Sequence, residues 1–362
     1  MKRILALSGG GLRGIVEVAF LEAIEAEYQR RHGSATRICD VFDLIGGTST
    51  GALIASALAL GKPASEIAAF YRERASFVFR QRGRWKAGLA PVFDARRLEA
   101  EIRKEVGDIT LGDPALQTKL AIVTKRLDTA SPWIVTNIPS APYFDDPPDG
   151  SYLGNRHYAI ARLLRASAAA PGFFRQETMP VRPGEPPGVF VDGGASPFND
   201  PSLALFKLAR MRAFGLRWPL GSDRLFILSI GSGHRRLRLS PEHAARARPL
   251  QVARDALKGL VHDSEVEAVT LMSWLGRPLA PQPINSEVGS LADDDALDAP
   301  QFAYLRLNLP LEQPALAGAG LDTPDDELAR LARFGDPAIV EPLYTLARDH
   351  CARAAHLRDT LM

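Results

Sequence analysis

The sequence predicts an α/β protein with three α/β/α layers, in which helices cover both faces of a central, mostly parallel sheet, plus a helical C-terminal region. Three short apolar runs, residues 4–7, 42–45 and 225–230, each end in a glycine-rich turn. Helical spacing of apolar residues follows the first two turns, beginning near residues 15 and 52. Recurrent strand–glycine–helix order is typical of a sheet covered on both faces.

The other elements follow from apolar periodicity and from Gly and Pro as breakers. Further strands are predicted at 120–123, 133–135 and 189–191. Helices are predicted at 15–28, 52–60, 66–79, 159–170, 242–275, 327–333 and 339–357, with irregular structure at 277–300. The change of character near residue 238 divides the chain into an α/β domain, 1–238, and a mainly helical region, 239–362, which we expect to pack on that domain.

Composition excludes several classes of protein. The 362 residues are 46% hydrophobic and 24% charged, which is typical of a globular chain and not of a disordered or disulfide-stapled one. A net charge of +2 gives no electrostatic footprint for nucleic acid. Cys39 and Cys351 lack metal-ligand spacing, so no metal site is predicted. The longest apolar stretch, 52–60, is far short of the ~20 residues of a spanning helix, and a cytoplasmic protein is predicted.

One serine lies in a motif that favours nucleophilic chemistry. Residues 47–51, Gly-Thr-Ser-Thr-Gly, fit G-x-S-x-G between a predicted strand and a predicted helix. Gly47 and Gly51 would allow the sharp turn that projects the Ser49 hydroxyl, and the helix N-terminus would favour developing negative charge. The alternative is an ordinary helix N-cap, in which Ser49 or Thr50 satisfies free amides.

A second glycine turn, residues 9–14, has three interpretations. Gly-Gly-Gly-Leu-Arg-Gly fits the dinucleotide fingerprint G-x-G-x-x-G, although no acidic residue follows at the end of a second strand about 20 residues on. Consecutive glycine amides can also form an oxyanion hole. The third interpretation is a tight strand–helix turn without a ligand. The residues alone leave all three open.

A third turn places a carboxylate at the end of a strand. Asp192, Gly193 and Gly194 follow the apolar residues 189–191. Catalytic acids and bases of open sheets lie at such carboxyl ends. A plain Asp-Gly turn is the alternative.

Together, and in this order, the three turns resemble the patatin-like phospholipase family. That family combines a glycine-rich oxyanion loop, a G-x-S-x-G nucleophile and an Asp-Gly-Gly or Asp-Gly-Ala base. The stretches 42–45, 124–129, 165–171 and 228–233 are also similar to bacterial members, so the resemblance covers at least residues 3–233. It identifies residues 1–238 as the expected catalytic domain.

The resemblance implies a serine acyl-ester hydrolase that cleaves acyl chains from phospholipids or related lipids through an acyl-enzyme. It implies no cofactor and no metal, and it allows peripheral contact with a membrane. The implied site residues are Ser49 and Asp192 as a catalytic dyad, Gly9, Gly10, Gly11, Arg13 and Gly14 in the oxyanion loop, Gly47 and Gly51 at the elbow, and Gly193 and Gly194 at the Asp turn. Arg13 would buttress the loop or face a phosphate head group.

Two positions depart from the family pattern. Ser8 stands where an Asp usually precedes the glycine loop, and Asp200 stands in an Asn-Asp-Pro sequence where the family often has Asn-Asn-Pro. The extra carboxylate of Asp200 is expected near the site, where it could alter the pKa of Asp192 or the fit of the substrate. That pKa must rise, or turnover must be modest, because an ordinary Asp is a weak base at neutral pH.

Alternatives remain at this stage. His234 follows a glycine turn and is a minor candidate for the base. The basic residues 80–86 with Trp85 suggest a lip that meets anionic lipids, or simply a solvated loop. The competing functions are a nucleotide- or dinucleotide-binding protein that uses Gly9–Gly14, and a non-catalytic lipid-binding relative. No oligomeric state follows from the sequence.

Overall fold

A computed structural model describes residues 1–80, 91–236, 240–294 and 296–353 of the chain. Its strands are β1 (Lys2–Leu7), β2 (Leu44–Thr48), β3 (Lys119–Arg126), β4 (Ser131–Thr136), β5 (Glu177–Met179), β6 (Gly188–Asp192), β7 (Leu225–Ile230), β8 (Arg277–Pro278) and β9 (Ala303–Leu307). All are part of one mixed sheet.

The central part of the sheet is parallel. β1 pairs with β2 on one side and with β7 on the other, β2 continues to β3, and β7 continues to β9 and β8, all in parallel. The antiparallel pairs are confined to one end of the sheet, where β4 and β6 pair with β3 and β5 pairs with β6. The predicted α/β class with a mostly parallel central sheet is confirmed.

Helices cover both faces of this sheet. They are α1 (Gly14–His32), α2 (Ile38–Val41), α3 (Thr50–Ala59), α4 (Ala64–Val78), α5 (Ala95–Val106), α6 (Ile160–Ser167), α7 (Ser202–Arg210), α8 (Pro241–Ala245), α9 (Pro249–Leu275), α10 (Gln313–Gly318), α11 (Asp325–Leu331) and α12 (Val340–Arg353). Successive side chains of β1 alternate between two buried clusters, as the period of a strand requires. Leu5 and Leu7 belong to a buried cluster with residues of α1, α3–α6, α11 and α12, whereas Ile4 and Ala6 belong to a second cluster with residues of α7 and the end of α9. A strand buried on both faces reads as a continuous apolar run, which is why β1 was predictable.

The C-terminal region is less purely helical than predicted. It contributes β8 and β9 to the sheet, and β9 pairs with β7 along residues 303–307. The charged Arg306 interrupts the apolar run of β9, so that hydrophobicity gave no clear strand signal there. The predicted boundary at residue 238 lies outside the described residues. Among those that are described, no helix is both long and apolar enough to cross a bilayer.

The edge of β3 brings two distant segments together. β4 occupies one edge of β3 over residues 121–126. The other edge is shared: β2 pairs with residues 119–123 up to Thr48, opposite Val123, and β6 pairs with 124–126 from Asp192, opposite Thr124. β2 and β6 therefore meet end to end, so that the residue after Thr48 lies beside Asp192.

Candidate active site

Ser49 occupies a strained turn between β2 and α3. Its backbone has φ 55° and ψ −121°, a conformation that is costly for a residue with a side chain, by about 1–3 kcal/mol. A Cβ at Gly47 would overlap the backbone of Gly51, and one at Gly51 would lie 2.7 Å from the carbonyl oxygen of Ser8. The turn therefore requires glycine on both sides of the serine. This geometry is that of a nucleophile elbow and not of a simple N-cap, since the Ser49 side chain makes no capping hydrogen bond.

Ser167 anchors the elbow from behind. Its Oγ accepts a hydrogen bond of 2.8 Å from the Ser49 amide and donates one of 2.6 Å to the carbonyl of Val123. The hydrogen bond of the Ser49 amide is thus donated to Ser167. Sequence analysis missed this role of Ser167, because Ser167 lies 118 residues from Ser49.

Asp192 is within hydrogen-bond distance of Ser49. The Ser49 hydroxyl donates to Asp192 Oδ2 at 2.7 Å, and the Gly194 amide donates to Asp192 Oδ1 at 2.7 Å. A Cβ at Gly193 would lie 2.5 Å from the Val123 carbonyl oxygen, so the turn packs directly against β3. Burial raises the pKa of Asp192 to about 6, because desolvation of the carboxylate outweighs its two hydrogen bonds.

The glycine loop offers fewer amides than expected. The Gly9 amide donates to the carbonyl of Asn199 at 3.0 Å, so Gly9 cannot serve an oxyanion as the sequence suggested. Gly10 and Gly11 lie at the N-terminal end of a 3₁₀ turn, where amides have no partner within the turn. Gly11, with φ 60°, lines the same cavity as Ser49. Gly14 has a packing role, since a Cβ there would lie 2.5 Å from the Thr50 hydroxyl oxygen.

Arg13 buttresses the loop. Its Nη1 donates to the carbonyl of Gly233 at 3.1 Å, which ties the glycine loop to the turn after β7. The wall of the Ser49 cavity does not include Arg13. Of the two roles that the resemblance implied for Arg13, the contacts favour support of the loop over contact with a head group.

The two departures from the family pattern meet at one guanidinium. Arg306 Nη1 donates to Ser8 Oγ at 3.2 Å and to Asp200 Oδ2 at 2.9 Å. Asp200 also accepts from Ser229, and it is almost completely buried. Its charge is therefore balanced, and the raised pKa of Asp192 comes from burial rather than from Asp200. Of the two effects expected of Asp200, the influence on the pKa of Asp192 is not observed.

Among the described residues, no histidine is hydrogen-bonded to Ser49. His234 lines a second cavity, and burial lowers its pKa to about 4. His157 is paired with Asp146 on the surface at 2.6 Å.

An apolar cavity of about 80 Å³ leads away from Ser49. Its wall is formed by one face each of α3, α4 and α5 and by part of α6, with Leu53, Ile67, Ile102 and Leu164 as examples. Such a lining suits a hydrocarbon chain. Metal-binding clusters of three or more His, Cys, Asp or Glu are absent from the part of the chain that is described.

Aromatic side chains cluster at this cavity. Phe79 and Phe334 line it, and Phe334 packs against Phe173 with ring centroids 4.5 Å apart. Phe77, at the end of α4, is 46% exposed. Of the predicted basic lip, only Arg80 is among the described residues; residues 81–86, Trp85 included, lie outside them.

Comparison with known proteins decides the family. A family model described as patatin-like phospholipase matches residues 5–205, which is more than half of the chain and includes both Ser49 and Asp192. The chain belongs to the patatin-like phospholipase family. The resemblance drawn from the three glycine turns is thereby confirmed, and it takes precedence over the dinucleotide-binding interpretation of Gly9–Gly14.

Relatives of this patatin-like protein include bacterial and plant members. It is 29% identical over 255 residues to a cGAMP-activated phospholipase of Vibrio cholerae, covering 67% of each chain. It is 30% identical over 251 residues to Patatin-17 of Solanum cardiophyllum, covering 64% of this chain and 61% of that one. The matches thus span about two thirds or less of these relatives' own lengths. The structure of human GIVD cytosolic phospholipase A2 aligns with 99% of this chain and 60% of that one, at 13% identity and a TM-score of 0.46.

We predict that Gly51→Ala destabilises the protein by about 1–3 kcal/mol, because its Cβ would press on the backbone of β1 and of Ser8. Gly259→Ala is the matched control: Gly259 lies inside α9 with open space around it, so the substitution should stabilise the helix by about 0.5–1 kcal/mol. Chemical denaturation of both variants measures the difference. Equal midpoints for Gly51→Ala and the wild type would show that the elbow is not as constrained as described.

Proposed function

We propose that this protein is a serine acyl-ester hydrolase that removes acyl chains from phospholipids by a Ser49–Asp192 dyad. The observation that carries the proposal is the 2.7 Å hydrogen bond from Ser49 Oγ to Asp192 Oδ2 at the mouth of an apolar cavity. A hydroxyl, a carboxylate and an apolar slot are the parts needed to attack an ester and hold its acyl chain.

In the proposed acylation step, Ser49 Oγ forms a bond to the ester carbonyl carbon while Asp192 takes the hydroxyl proton. The Gly10 and Gly11 amides face the resulting oxyanion, and loss of one such donor typically costs about 10²–10³ in rate. Collapse of the tetrahedral intermediate breaks the ester C–O bond, and Asp192 returns the proton to the leaving alcohol. An acyl group then remains on Ser49.

In the proposed deacylation step, water attacks the same carbonyl carbon while Asp192 takes its proton. The bond to Ser49 Oγ breaks, the proton passes back to Ser49, and a fatty acid leaves. The raised pKa of Asp192 supports this role, because a base with a pKa near the working pH transfers protons in both directions efficiently.

We further propose that the substrate is met at a membrane surface. Phe77 is exposed and precedes the cavity-lining Phe79 by two residues, and the Arg97 guanidinium lies 5.2 Å from the Phe77 ring. An exposed aromatic ring next to a basic side chain suits the interface of a bilayer that contains anionic lipids.

The dyad is tested by substitution of both members. Ser49→Ala should lose fluorophosphonate labelling and should lower phospholipid hydrolysis by about 10³-fold or more, since the nucleophile is removed. Asp192→Asn should lower hydrolysis comparably, because an amide cannot take the proton. Exposed Ser151→Ala and Asp149→Asn serve as matched controls that should keep full activity. Wild-type protein that binds phospholipid vesicles but cleaves no ester would instead identify a non-catalytic lipid-binding relative.

The pH dependence should follow Asp192. Because the base must be ionised, kcat/KM should rise about tenfold per pH unit below pH 6 and level off above it. Measurement of hydrolysis of a soluble ester from pH 4.5 to 8 gives this profile. A rate independent of pH across that range contradicts the assignment.

The raised pKa of Asp192 should also make the folding stability of the protein depend on pH. The folded-state pKa of Asp192 lies above its unfolded value, so the stability that the protonated carboxyl provides is complete below about pH 4 and is lost as the pH rises through 6. Asp192→Asn should therefore be more stable than the wild type at pH 8, by up to roughly 3 kcal/mol, and equally stable at pH 4.

If Phe77 contacts the membrane, its substitution should weaken binding to lipid vesicles without changing the hydrolysis of a soluble ester. Phe77→Ala should weaken binding to phosphatidylcholine–phosphatidylglycerol vesicles roughly tenfold, because a buried Phe contributes about 1.5–3 kcal/mol. Its hydrolysis of a soluble ester should not change, since Phe77 does not line the cavity. Leu260→Ala, at a 65% exposed position on α9, is the control and should bind vesicles normally. Equal vesicle binding by Phe77→Ala and the wild type would place the membrane face elsewhere.

A further inference from the structure

One asparagine holds the first peptide of the glycine loop. The carbonyl of Asn199 accepts from the Gly9 amide at 3.0 Å, and the Asn199 side-chain Nδ2 donates to the Gly9 carbonyl at 3.2 Å. Asn199 is 7% exposed, so these bonds are shielded from water. The orientation of the Gly9 peptide, and hence the direction of the Gly10 and Gly11 amides, depends on where Asn199 lies.

The same side chain touches the Asp192 turn. Asn199 Oδ1 lies 2.4 Å from the position that a Cβ on Gly9 would take and 2.7 Å from the position that a Cβ on Gly194 would take. Gly194 in turn donates its amide to Asp192. Asn199 is thus wedged between the loop that faces the oxyanion and the turn that holds the base.

A carboxylate outside the family match orients this asparagine. Asn199 Nδ2 also donates to Glu265 Oε1 at 2.7 Å. Glu265 lies on α9, whereas the family model ends at residue 205. A side-chain amide presents donors at one end and an acceptor at the other, and the Oε1 atom of Glu265 accepts from the donor end. Glu265 therefore selects the rotamer in which Nδ2 reaches Gly9 and Oδ1 faces the glycine Cα atoms.

We propose that Glu265 is a positioning residue for the acyl-transfer reaction, acting through Asn199 to hold the Gly10 and Gly11 amides in register with Ser49 and Asp192. The inference rests on the proposed hydrolase function. It makes the C-terminal region part of the site, because the loop is incomplete without a side chain from α9.

The test is steady-state kinetics on the full-length chain with a soluble p-nitrophenyl ester, normalised by fluorophosphonate titration of active sites. Glu265→Ala should lower kcat per active site by about 10–100-fold, because small misplacements of catalytic groups are costly, with KM changed less than threefold. Glu265→Gln should restore kcat to within about threefold of the wild type, since its side-chain oxygen can accept the same hydrogen bond. Glu267→Ala, an exposed carboxylate on the same helix, is the matched control and should behave as the wild type.

A double variant shows whether Glu265 acts through Asn199. If it does, Asn199→Ala/Glu265→Ala should be no slower than Asn199→Ala alone. A role in stability alone would reduce the titrated fraction of active sites and leave kcat per site unchanged, which would overturn the proposal. Additive losses in the double variant, or failure of Glu265→Gln to recover kcat, would also overturn it. Failure of the hydrolase function itself is distinguishable, because Ser49→Ala would then retain the wild-type rate.

Discussion

The site depends on a single hydrogen bond between side chains 143 residues apart, from Ser49 Oγ to Asp192 Oδ2. It forms because β2 and β6 occupy consecutive stretches of one edge of β3, so that the end of one strand faces the end of the other. The bond is buried, and burial makes it consequential: desolvation raises the pKa of the carboxylate into the range of a useful proton acceptor. The fold therefore sets both the distance between the Ser49 hydroxyl and the Asp192 carboxylate and the basicity of that carboxylate.

Charged and polar side chains contact the residues of the glycine loop and its neighbours. Arg306 from β9 joins Ser8 and Asp200, and Glu265 from α9 joins Asn199. A buried charge is costly unless it is paired, and Arg306 and Asp200 pair with each other. Glu265 instead accepts from the neutral amide of Asn199, whose side chain also donates to the backbone carbonyl of Gly9. The family pattern usually places an Asp at the position of Ser8; in this chain the carboxylate that contacts the guanidinium belongs to Asp200.

The apolar side of the site follows from helical periodicity. On α3, Leu53, Ile54 and Ala57 line the cavity, and on α5 Leu98, Ile102 and Val106 do so at intervals of four residues. Each helix presents one stripe to the cavity and uses its other faces for the core. The cavity is thus a gap among three packed helices. The sequence shows that the residues of its wall are mostly apolar, but it does not show that a cavity lies between the helices.

The sequence by itself determined the elements that local chemistry controls. Continuous apolar runs predicted β1, β2 and β7, and the glycines around Ser49 and after Asp192 predicted turns in which a Cβ would collide with backbone. Their order along the chain was sufficient to indicate the family. Only the tertiary structure decided which groups meet. It assigned the Gly9 amide to Asn199, placed Ser167 behind the elbow, put β9 into the sheet despite Arg306, and brought Glu265 to the loop. Hydrogen bonds between residues 66 to 190 positions apart leave no periodic trace in a single chain, because any polar residue at those positions has the same local pattern whether or not it finds its partner.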